Sequence, residues 1–136
     1  MSVNICVEDI CNLAVDKINR YKDMLDITYM QHVFICDDNT LRLLSNIELR
    51  QKVMQEIEEI DRQIARSEDL DNPEYLKMEQ EILGIQKEIA KQDKLNEAAA
   101  RNKILEYSNA IKKNSNTRKS IAYASVAVYP GREYMG

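Results

Sequence analysis

His32 is the only histidine of the chain, and imidazole is the side chain best suited to moving protons near neutral pH. It falls on the apolar stripe of the first helix-periodic stretch. No cysteine or serine stands at a spacing recognisable as its nucleophile, so it reads as a satisfied core or interface histidine rather than a catalytic base. Cys6, Cys11 and Cys36 are odd in number and lack metal-ligand spacing. Cys11 lies on or near an apolar face, where a thiol serves as small core filler rather than in redox or metal chemistry. Asp37-Asp38-Asn39 has the acids of a calcium loop but not its glycine or its terminal glutamate, so a turn is the better reading. Neither a phosphate-cradling glycine loop nor a pair of histidine ligands is present. Arg50 and Asp61 fall near the apolar seam of the second periodic stretch. Two readings stand for them: they pair with polar groups on other helices and fix register, or they occupy a solvated edge. The residues therefore predict no enzyme, no cofactor and no metal site.

Such residues need elements to position them, and composition says what kind. The 136 residues suffice for one domain with a modest core. Three glycines, two prolines and no tryptophan leave little material for strands and turns. Charged residues make up 31%, and Glu, Lys, Gln, Ile and Leu dominate the middle, a profile of long amphipathic helices. A net charge of −4 recommends no general nucleic-acid binder. No apolar run is long enough to span a bilayer, and the N-terminus lacks the basic-then-apolar order of a secretion signal. The expectation is a soluble cytoplasmic protein.

Three stretches carry helical periodicity. The first runs from about Val7 to Ile35, with Ala14, Ile18, Tyr21, Leu25, Thr28, His32 and Ile35 alternating three and four apart. Ile10, Cys11 and Met24 widen that stripe, as suits a bundle. Residues 37–40 form a capped turn. The second helix is predicted over 41–66, with Leu43, Leu44, Ile47, Val53, Met54, Ile57, Ile60 and Ile64 as its apolar set. The third opens on Asn72-Pro73-Glu74, an N-cap, a first-turn proline and an acid at the positive end of the helix dipole. Its stripe is Tyr75, Met78, Ile82, Ile85 and Ile89. It turns polar at Gln92 and Asn96, then resumes in a shifted frame at Ala100, Ile104, Tyr107 and Ile111, like a four-residue stutter. This helix is predicted over 73–113, followed by a flexible C-terminal tail over 114–136. Short connections predict an antiparallel, up-down-up three-helix bundle over 1–113.

The helix lengths do not match. At 1.5 Å per residue the first two reach about 40 Å and the third about 60 Å. The third is therefore expected to outrun its partners near Asn96, leaving Ile104, Tyr107 and Ile111 as an apolar stripe for a partner. Charge divides similarly. Residues 103–136 hold six basic residues against Glu106 and Glu133, a net +4, which leaves −8 for the rest of a chain of net −4. The tail adds Tyr123, Val126, Val128, Tyr129, Tyr134 and Met135 as candidate anchors, with Tyr123, Tyr129 and Tyr134 the partner-binding aromatics.

The second helix reads Arg50-Gln51-x-Val53-Met54-x-x-Ile57-x-x-Ile60-Asp61, after Tyr29-x-Gln31 and the Asp37-Asp38 turn. Nearer the end stand Asn102-Lys103-Ile104, Tyr107, Arg118-Lys119-Ser120, Ala122, Ala124 and Tyr134-Met135. This pattern resembles the FlgN/FliT-like flagellar export chaperones, small cytoplasmic helical proteins. It departs from them at Val126 to Gly131, where the family tail has few apolar residues and no Pro-Gly. The resemblance implies a chaperone that holds the helical C-terminal segment of a hook-associated or filament-cap protein. It also implies delivery of that client to the export gate, with the chaperone's own C-terminal region taking part in docking. The alternative is a structural coiled-coil scaffold, a homodimer burying the third helices against each other.

Overall fold

The computed structural model describes residues 7–68 and 70–128, with side chains over 9–68 and 70–119. Three helices account for the order along the chain: α1 (Val7–Cys36), α2 (Thr40–Ile64) and α3 (Pro73–Val128). There is no strand among the described residues. The all-α reading holds. The chain divides into two compact units, Met1–Ala99 and Ala100–Gly136.

The first unit is an up-down-up bundle. At one end Ile10 and Ala14 of α1 pack with Ile60 and Ile64 of α2 and Tyr75 of α3. Further along, Met24 and Ile27 meet Val53, Ile57 and Ile89. Residue numbers rise together on α1 and α3 and fall on α2, which fixes α2 as the antiparallel helix. Ile82, 2% exposed, is among the most deeply buried side chains.

The connections follow local chemistry. Asp38 takes a φ of 56°, and the Asp38 and Asn39 amides donate to the Ile35 and Phe34 carbonyls at 3.3 and 2.9 Å. Those two bonds close α1 in a Schellman motif. Asn39 then caps α2, its Oδ1 accepting from the Arg42 amide at 3.2 Å. The Asn72 side chain caps α3 by accepting from the Tyr75 amide at 3.1 Å, with Pro73 in the first helical position as expected.

Two expectations need correction. In α2, Leu44, Ile47 and Met54 are exposed, whereas Asn46 is buried. The seam runs through Leu43, Asn46, Arg50, Val53, Ile57, Ile60 and Ile64, a regular three-four alternation. Each of its two polar members donates to another helix, Asn46 Nδ2 to the Ile27 carbonyl and Arg50 to the Asp93 carboxylate, and Asn46 Oδ1 is buried with no partner among the described residues. The second correction concerns α3, which continues to Val128 instead of ending at Lys113. Asn, Ser and Thr cost less than about 0.7 kcal/mol each in a helix, far less than a proline. No Pro or Gly occurs between Gly84 and Pro130. The Thr117 hydroxyl also donates back to the Lys113 carbonyl at 2.9 Å.

Candidate functional site

The first unit holds two clusters of polar side chains, and the second an exposed apolar run. In the first unit a layer of polar side chains crosses the seam where the apolar stripe of α3 stops. Arg50 of α2 grips Asp93 of α3 through two hydrogen bonds, Nη1 to Oδ1 at 2.6 Å and Nη2 to Oδ2 at 2.9 Å. Arg50 Nη1 also lies 3.4 Å from Thr28 Oγ1, and that hydroxyl donates to the Met24 carbonyl at 2.7 Å. The bond to Asp93, and the carboxylate's charge, outweigh partial burial and hold the guanidinium above its ordinary value. Asn46 donates through Nδ2 to the Ile27 carbonyl at 3.0 Å, tying α2 to the α1 backbone.

One turn beyond Asp93, Asn96 is 4% exposed and connects α3 to α1. Its Nδ2 donates to the Thr28 carbonyl at 2.8 Å, and its Oδ1 accepts from Gln92 Nε2 at 2.9 Å. His32 Nδ1 lies 3.0 Å from the same Oδ1, and His32 Nε2 lies 3.5 Å from Cys36 Sγ. His32 thus sits partly buried with both ring nitrogens engaged.

A second charged cluster lies nearer the other end of the first unit. Lys17 Nζ is 2.8 Å from Asp61 Oδ1 and 3.8 Å from Glu79 Oε1. Partial burial alone would lower the ammonium. Its hydrogen bond to Asp61, and the charges of Asp61 and Glu79, prevail and hold it above its ordinary value. Burial, and a hydrogen bond to Glu79, push the Tyr75 phenol well up. Of the two readings open for Arg50 and Asp61, cross-helix pairing is the one observed. Cys11 is half-buried, its Sγ 3.8 Å from Glu74 Oε2, and desolvation together with that carboxylate pushes the thiol up. Among the described residues no group of three or more His, Cys, Asp or Glu could hold a metal ion.

The predicted partner residues lie in the second unit. Ile104, Tyr107 and Ile111, spaced three and four apart on α3, are 65%, 51% and 68% exposed. Leu105 adds to the exposed apolar surface. Tyr123 belongs to α3, but its side chain lies outside the described residues, as do Tyr129 and Tyr134 altogether. In the first unit an apolar groove of about 360 Å³ between α1 and α2 is lined by Ile27, Met30, Phe34, Asn46 and Leu49. Asp26 and Arg42 also border it.

Sequence reasoning missed Thr28, Asp93 and Asn96 as a linked set, and missed Cys36 as the partner of His32. The i,i+4 spacing of His32 and Cys36 on one helix was the available signal. No helix among the described residues is long and apolar enough to cross a membrane. No family model, curated protein or solved structure matches the chain.

Proposed function

We propose that this chain binds a partner's helix and acts as an export chaperone of the flagellar type. In that role it takes the helical C-terminal segment of a hook-associated or filament-cap protein and carries it to the export gate. The observation that carries the reading is the exposed apolar run Ile104, Leu105, Tyr107 and Ile111. Aliphatic and aromatic side chains held in water at helical spacing are what a helix-in-groove or helix-on-helix partner covers. The resemblance of the second helix and C-terminal segment to flagellar export chaperones supplies the identity of that partner. The rigid part of the role falls to the first unit, whose seam carries its own cross-helix pairs at Arg50–Asp93 and Lys17–Asp61.

No enzyme, cofactor or nucleic acid enters this reading, and the compartment is the cytoplasm. A purified client helix titrated against the full chain tests it. A chaperone gives a saturable complex that Ile104→Asp with Ile111→Asp weakens. A homodimeric scaffold instead stays dimeric at every client concentration and takes up none.

A further inference from the structure

We propose that Cys36 is a modification site, with His32 as its general base, for thiol–disulfide exchange with a low-molecular-weight disulfide. The argument begins at Asn96. A backbone carbonyl can only accept, so the bond to the Thr28 carbonyl fixes the nitrogen end of the Asn96 amide. Its oxygen end must then face Gln92 Nε2 and His32 Nδ1, at 2.9 and 3.0 Å. An amide oxygen accepts but never donates, so His32 Nδ1 carries the hydrogen. Neutral imidazole has one N–H, which leaves the Nε2 lone pair bare. That lone pair faces Cys36 Sγ at 3.5 Å. The Cys36 thiol therefore donates to His32, and the tautomer is set by a buried side chain on another helix.

The placement suits a reaction with a small reagent. Cys36 is exposed and is the last residue of α1, whereas the half-buried Cys11 is hydrogen-bonded to Glu74. Thr28, His32 and Cys36 follow one another a turn apart, so one face of α1 presents the orienting carbonyl, the base and the nucleophile in sequence. When His32 takes the thiol proton, Nδ1–H stays bonded to Asn96.

In the exchange, Cys36 Sγ attacks one sulfur of the disulfide as its proton passes to His32 Nε2. A new Sγ–S bond forms and the reagent's S–S bond breaks. The departing thiolate takes the proton from the imidazolium, leaving neutral His32, a mixed disulfide at Cys36 and one free small thiol. The protein thiol is oxidised and half of the reagent is reduced.

Oxidised glutathione, added in excess to the full-length protein without reductant, tests the proposal. The adduct at each cysteine is followed by peptide mass mapping, and nitrogen NMR of the imidazole reads the tautomer. The expected result is that Cys36 reacts ahead of Cys11. His32→Gln slows Cys36 by about tenfold or more while leaving Cys11 unchanged, and Nε2 carries no hydrogen in neutral native protein. An unchanged Cys36 rate in the folded variant, or a neutral tautomer protonated at Nε2, overturns it. The NMR measurement needs only the native chain and stands even if the variant does not fold.

Discussion

Arg50 and Asp93 show how a polar pair is kept inside an apolar seam. Their side chains are 23% and 39% exposed, so water screens the pair without separating it. Fully buried pairs cost about 3–5 kcal/mol when one partner is removed, and surface pairs less than about 1 kcal/mol. Asp93→Ala should therefore lower stability by about 1–2 kcal/mol, because the guanidinium loses both hydrogen bonds and stays in the seam. Replacing both residues by leucine should recover most of that loss, since no charge is then stranded. A double-mutant cycle by urea denaturation checks both values. Lys17 and Tyr75 make a second residue-scale prediction, in pH. Their ordinary values are 10.5 and 10.0, and both are raised in the folded chain. The folded chain thus holds those protons more tightly than the unfolded one, so their contribution is complete below about pH 10. It should fade as pH rises through the folded-state values. Denaturation midpoints followed upward from about pH 8 should fall above pH 10, and Tyr75→Phe should reduce that fall.

At the scale of the helix, α3 holds one glycine in its interior. An added Cβ at Gly84 meets nothing within 4 Å. Gly84→Ala should raise stability by about 0.5–1 kcal/mol through helix propensity and a less flexible unfolded chain, with no packing cost. Thermal unfolding measures it, and a lower midpoint would contradict it. The helices were legible in the sequence where period and caps agreed, as at Asn72-Pro73 and the turn at 37–40. The apolar pattern of α2 points to Leu44 and Ile47 as seam residues. Packing follows the period instead, and it keeps Asn46 and Arg50 inward, where Asn46 Nδ2 donates to the Ile27 carbonyl and Arg50 to the Asp93 carboxylate, while Asn46 Oδ1 is buried with no partner among the described residues. Those partners are distant in sequence, so the linkage among Thr28, Asp93 and Asn96 could not be read from one chain's spacing. The end expected for α3 at Lys113 falls short because the polar residues at 114–117 weaken a helix by less than about 0.7 kcal/mol each, and neither Pro nor Gly stands there to break it.

For the whole molecule the division of labour follows the two units. The first carries the bundle core and its cross-helix pairs. The second carries the exposed run at 104–111 and, with Lys112, Lys113, Arg118 and Lys119, a basic excess. A basic segment with aromatic residues is suited to steering towards an acidic surface and then slowing dissociation. Removing residues 115–136 should leave client binding largely intact and weaken docking of the complex to an isolated export-gate domain. Equal affinity of the intact and truncated proteins for that domain would rule out the segment as the docking element.

The central claim, that the run at 104–111 holds the client, is tested most directly by one titration. The C-terminal helical segment of a hook-associated protein is titrated calorimetrically into the native chain and into Ile104→Asp/Ile111→Asp, with thermal unfolding of both recorded. The account predicts an unfolding midpoint close to native and an affinity at least tenfold weaker, about 1.4 kcal/mol or more, because each new carboxylate must be desolvated against an apolar partner. Unchanged affinity, or a variant that no longer folds, would contradict it.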